Sequence, residues 1–198
     1  MVGDPTAADD TFRKVLLAVI ALNLCYFGVE FAVALAIGSV SLFADSVDFL
    51  EDASINLLIV VALGWSAAAR ARLGMVLALI LLVPGLATLW TAVQKFATPV
   101  APAPVPLMLA GLGALLVNFS CAWMLARFRD HRGSLTRAAF LSARNDALAN
   151  VAILLAGLLT ALVWRSAWPD LIVGLGIAAM NADAAREIWE AAREERRG

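Results

Sequence analysis

Four acids crowd into one apolar stretch, Ser41 to Ser54, which reads SLFADSVDFLEDAS and carries Asp45, Asp48, Glu51 and Asp52. A second polar cluster, FLSARNDALAN, runs from Phe140 to Asn150. On helices, Asp45, Asp48 and Asp52 are spaced i, i+3, i+7, and Ser142, Asp146 and Asn150 are spaced i, i+4, i+8. Each set therefore makes one stripe. Carboxylates one turn apart can converge on a cation, and Asp48 with Asp52 has that spacing. Ser41 and Asn56 continue the first stripe, Glu51 lies to its side, and Asn145 stands beside Asp146.

An Asp at the centre of a membrane helix costs roughly 2.5 to 3.5 kcal/mol, so several facing lipid would cost on the order of 10 kcal/mol. The acids must face the interior of a bundle or an aqueous cavity. There they repel one another, and the cluster persists only if it binds protons, a cation, or both in turn. Arg144 is the basic side chain within the membrane, and a permanent pairing with it would make the acids structural. Two polar stripes that both need an interior partner most simply face each other and share an ion.

The elements that must position these stripes are apolar helices. The chain has 198 residues, is 62% hydrophobic and spends only 16% of its residues on charge. A soluble domain carries about 25%, so an integral membrane protein is expected. No basic patch with interleaved aromatics supports nucleic-acid binding. Six runs reach the roughly 20 residues that a bilayer crossing requires: Arg13–Ala36, Ser41–Ser66, Leu73–Lys95, Leu107–Arg127, Ala138–Trp164 and Trp168–Ala191. The expected fold is all-α with six transmembrane helices over 13–192, a leading segment 1–12 and a short tail 193–198.

Proline-rich TPVAPAPVP (Thr98–Pro106) reads as a linker, and Pro84-Gly85 as a kink within the third span. Gly111, Gly113, Gly174, Gly176 and Ala178 would let helices approach closely. With the N-terminus in the cytoplasm, twelve Lys and Arg residues fall on the cytoplasmic side and only Lys95 and Arg165 on the other. Both termini are therefore expected in the cytoplasm. Trp90, Trp164 and Trp168 fall near the external ends of their spans. Cys25 and Cys121 lack metal-binding spacing and read as small buried hydrophobes, and His131 as a solvated loop residue.

The segments IGSVSLFADSVDFLEDASINLL and SARNDALANVAILLAGL, with the six-span layout and LIVGLGIAAM in the sixth span, resemble the cation diffusion facilitator family. The resemblance implies exchange of divalent transition-metal ions for protons through a four-ligand site, two residues from the second helix and two from the fifth. The matching positions are Asp48, Asp52, Ser142 and Asp146. Ser142 stands where the family usually has His or Asp. Asn145, Asn150 or water is then a candidate fourth ligand, and Asp45 an accessory that shuttles protons or attracts the ion.

An oxygen-rich set accepts Mn2+, Fe2+ or Co2+ as well as Zn2+. The expectation is a metal(II)/proton antiporter of the bacterial inner membrane, a homodimer, not an enzyme and without a cofactor beyond its transported ion. Because many members carry a soluble domain after the sixth helix, a chain ending at Gly198 reads as a short member lacking it. The rival readings are a proton-coupled organic-cation carrier and a structural membrane protein.

Overall fold

The computed structural model describes the backbone of residues 5–62, 88–126 and 134–195, with positions 69, 72, 75, 76, 86 and 128 in isolation. Side chains are described for 10–61, 88–126, 145–180 and scattered positions elsewhere. Pro84-Gly85, His131 and the side chains of Phe140, Ser142 and Arg144 lie outside the described residues.

The described residues fall into six helices: α1 (Pro5–Ile37), α2 (Val40–Ala62), α3 (described over 88–97), α4 (Pro104–Ala126), α5 (Ser134–Leu162) and α6 (Trp168–Glu195). No strand occurs among the described residues. α1, α4 and the Asn145–Leu162 part of α5 are each long and apolar enough to cross a membrane. α2 is as long as α4 but interrupted by its acids, and the apolar part of α6 is Trp168–Met180.

Two boundaries differ from the sequence expectation for one reason. α1 begins at Pro5, and α4 begins at Pro104, inside the expected linker. The first four amides of a helix have no intrahelical acceptor, so prolines in the first turn lose nothing. The first bond of α4 runs from the Leu107 amide to the Ala103 carbonyl, 3.2 Å, just past Pro106.

The α1–α2 connection is two residues long and fixed by backbone chemistry. Gly38 has φ +62°, the left-handed conformation that closes a helix, and the Ser39 amide reaches back to the Ala34 carbonyl at 3.0 Å. Ser39 then caps α2 through its hydroxyl, which accepts from the Leu42 amide at 3.2 Å. The second helix thereby starts at a set angle and register against the first.

α2 touches α1, α4, α5 and α6, and every residue from Val40 to Phe49 is buried. A helix surrounded in this way carries its polar side chains inside whichever face they occupy. Leu42, Phe43 and Ala44 pack with Ala34, Leu107, Ile153 and Ile177 at one end of the acid-bearing segment. Ile59 packs with Leu16, Val19, Cys121 and Leu125 beyond its other end. The acids form a polar band between two apolar plugs. Cys121 is buried as expected, whereas Cys25 is exposed, because its position on α1 points away from α2 and α4.

α6 crosses α2 most tightly at Gly174, where a Cβ would stand 2.7 Å from both the Val40 carbonyl carbon and the Ser41 amide nitrogen. Backbone at a capped helix start cannot give way. Gly174→Ala is expected to destabilise the bundle by about 1–3 kcal/mol, the cost of overpacking. Gly176, expected to serve the same purpose, instead has nothing within 4 Å. Gly176→Ala should leave the thermal unfolding midpoint in micelles unchanged or slightly raised, and the pair measured side by side checks the crossing.

Candidate metal centre

Helix α2 presents Asp45, Asp48, Glu51 and Asp52, all buried. α5 presents Asp146, also buried, one helical turn before Asn150. The two helices meet at these residues: Asp146 approaches Asp52 closely enough for a hydrogen bond once one of them carries a proton. The charges acting on Asp48 are those of Asp146, Asp45, Glu51 and Asp52. Asp146 of α5 therefore faces the acids of α2, and Asp48, Asp52 and Asp146 are neighbouring buried acids, while among the described residues no three His, Cys, Asp or Glu side chains converge tightly enough to enclose a metal ion.

The accessory residues fall in distinct places. Asp45 is fully buried, and its Oδ2 accepts from Asn150 Nδ2 at 2.5 Å. Asn150 Oδ1 in turn accepts from Asn118 Nδ2 of α4 at 3.2 Å. Asn150 thus spends both ends of its amide on neighbours and ties α5 to α2 and α4. Asn145 is exposed. Ser142 lies on α5 one turn before Asp146, and its side chain is outside the described residues, as is that of Arg144.

The polar stripe of α2 divides at its ends. Asn56 donates from Nδ2 to the Asp52 carbonyl at 2.7 Å, bracing the turn that carries Asp52. Ser41 does not join the acids. Its hydroxyl donates to Asp170 Oδ1 of α6 at 2.6 Å.

Sequence reasoning did not assign several buried polar residues. Glu30 of α1 is fully buried, and Asp45 and Asp48 act on it electrostatically. Its signal was available: a lone acid within an apolar span, seven residues from Asn23 on the same face of α1. Asn23 donates to the Val19 carbonyl at 3.0 Å and to Cys121 Sγ at 3.9 Å. Tyr26, between them, donates to the Ala110 carbonyl at 2.6 Å and packs its ring on Phe49, 5.1 Å between centroids.

A second polar cluster stands apart from the acids, where α2, α3 and α6 meet. The Asp170 carboxylate accepts from the Ser39 and Ser41 hydroxyls, from the amides of Val40 and Ser41, and from Lys95 Nζ at 3.0 Å. Lys95 also donates to the Gly38 carbonyl. This carboxylate closes the N-terminus of α2, where the helix dipole favours a negative charge. Its donors leave it no vacancy for an ion.

A helical bundle with apolar helices long enough to cross a membrane thus holds carboxylates of its second and fifth helices close together in its interior, where a cation or protons would neutralise them. The model of the cation efflux transmembrane domain matches residues 16–194, and the chain belongs to that family, the cation diffusion facilitators. It is also similar to zinc transporter ZitB of Pectobacterium atrosepticum, 28% identical over an alignment of 184 positions, and the match covers 78% of this chain. The match spans 58% of that relative's length.

Proposed function

We propose that this chain carries divalent metal ions out of the cytoplasm in exchange for protons, binding the ion between α2 and α5 at Asp48, Asp52 and Asp146. The observation that carries this reading is the meeting of the three carboxylates inside the bundle, with Asp146 against Asp52 and the other acids acting on Asp48. Such a group stays folded when a divalent ion or protons neutralise it, and these compete for the same oxygens. The family's fourth position falls on Ser142, and a water molecule is a further candidate for completing an oxygen set. That set suits Zn2+, the ion in the relative's name, and the harder Mn2+, Fe2+ and Co2+.

The family resemblance further supports a homodimer in a bacterial inner membrane. The twelve-to-two distribution of Lys and Arg supports cytoplasmic termini. Asp45, held by Asn150, stands beside the ion without occupying the ligand positions.

Purified protein in sealed vesicles checks the reading. A gradient of Zn2+ or Mn2+ should drive metal across and move lumenal pH in the opposite sense, with the ion preference read from parallel runs with Fe2+ and Co2+. Movement of an organic cation with no metal flux would replace this reading with the carrier alternative, and no flux of either would leave a structural protein.

A further inference from the structure

We propose that Glu30 and Asp45 hold a second cation, beside the ion assigned to Asp48, Asp52 and Asp146. The proposal rests on the transport reading only for the identity of the first ion. Its own basis is a set of buried oxygens left without donors. Both carboxylate oxygens of Glu30 and Oδ1 of Asp45 have no hydrogen-bond partner among the described residues, and both residues are fully buried. The two carboxylates nevertheless stand close enough to share a proton.

Unpaired anionic oxygens in a dry bundle are strongly disfavoured, and two facing carboxylates repel as well. One cation between them removes both problems. The neighbouring donors are committed elsewhere. The Tyr26 hydroxyl, which the charges of Glu30 and Asp45 reach, is directed to the Ala110 carbonyl. Asn150 donates to the other oxygen of Asp45, and Asn118 fixes Asn150. Three helices thus hold Asp45 in place while its Oδ1 and the whole Glu30 carboxylate from α1 stay open. Asp48, another acid, also acts on Glu30, which favours a cation still further.

Among the described residues the pocket chemistry is a pair of carboxylates, with Asn150 turned to the far oxygen of Asp45. It takes either a shared proton or a hard metal ion. The position adjoins the central acids through Asp45 and Asp48 on one face of α2, so a cation there lies beside the path of the transported ion.

The test uses the full chain in micelles, as wild type, Glu30→Gln, Glu30→Asp and Asp45→Asn. Two quantities are read: Mn2+ and Zn2+ bound per chain at saturation, and the infrared band of protonated carboxyl groups in metal-free protein. Glu30→Gln, which keeps the side-chain shape, is expected to retain the central ion and to lose either one bound metal per chain or one protonated-carboxyl contribution. The first result identifies the cation as metal, the second as a proton, and Glu30→Asp should restore whichever is lost. An unchanged metal count together with an unchanged infrared band in Glu30→Gln overturns the proposal. If Glu30→Gln does not fold, Asp45→Asn gives the same two readings. Absence of metal binding in the wild type would overturn the central site, while the infrared comparison still decides for Glu30 and Asp45.

Discussion

Asp170→Ala is expected to destabilise the folded bundle by about 3–5 kcal/mol, the cost of leaving one member of a buried ion pair uncompensated. The wild-type carboxylate accepts at 2.6 Å from each of the Ser39 and Ser41 hydroxyls, at 2.9 Å from the Val40 amide, at 3.2 Å from the Ser41 amide and at 3.0 Å from Lys95. Alanine removes every one of these acceptors. It leaves an ammonium with 7% exposure whose remaining partner among the described residues is the Gly38 carbonyl, and removes the acceptor of two first-turn amides of α2.

The same loss loosens α2 against α3 and α6, and α2 is the helix that aims the central acids. Thermal or denaturant unfolding in micelles measures the effect, and Asp170→Asn should fall between wild type and alanine because the amide still accepts through one oxygen. Combining Asp170→Ala with Lys95→Met should recover most of the loss, since no charge is then stranded. An unfolding midpoint unmoved by Asp170→Ala would show that this cluster holds nothing together.

The contrast between the two polar clusters explains what was legible in the sequence. The central acids announce themselves because Asp48 with Asp52 and Asp146 with Asn150 repeat at helical spacing inside apolar runs. Periodicity of that kind survives folding, and the facing of α2 and α5 follows from the cost of exposing either stripe to lipid. Glu30, Lys95 and Asp170 have no such repeat. Each is a single charge whose meaning depends on a residue far away in the chain, Asp45 for Glu30 and Asp170 for Lys95, separated by 75 positions. Lys95 reads as a loop charge because it stands at a span end, and only packing shows that it turns inward.

Boundaries behaved similarly. The helix starts at Pro5 and Pro104 were hidden because proline signals a break in a helix interior and a beginning in its first turn. The spans of α1, α4 and the later part of α5 needed only length and hydropathy.

Asp48→Ala is expected to abolish metal transport and to weaken binding of Zn2+ or Mn2+ by more than about 100-fold, since loss of a residue that merely supports a ligand already costs about 10- to 100-fold. Asp48 is the acid on which Asp146, Asp45, Glu51 and Asp52 all act, so the ion that relieves their repulsion gathers around it. Removing it takes one charged ligand from the set and lets water or a neighbouring acid relax into the space. Stability should move the other way. A carboxylate surrounded by acids opposes folding of the metal-free protein, so metal-free Asp48→Ala should unfold at or above the wild-type temperature. This opposite response separates a lost ligand from a misfolded bundle. It also separates Asp48 from Asp170, whose removal lowers stability first and transport only as a consequence. Flux into vesicles and equilibrium metal binding measure the first effect, thermal unfolding without metal the second, and exposed Asp183 supplies the control, since Asp183→Ala should change none of them. Transport persisting in a stable Asp48→Ala protein would move the ion away from the meeting of α2 and α5, because four other carboxylates act on Asp48 at once.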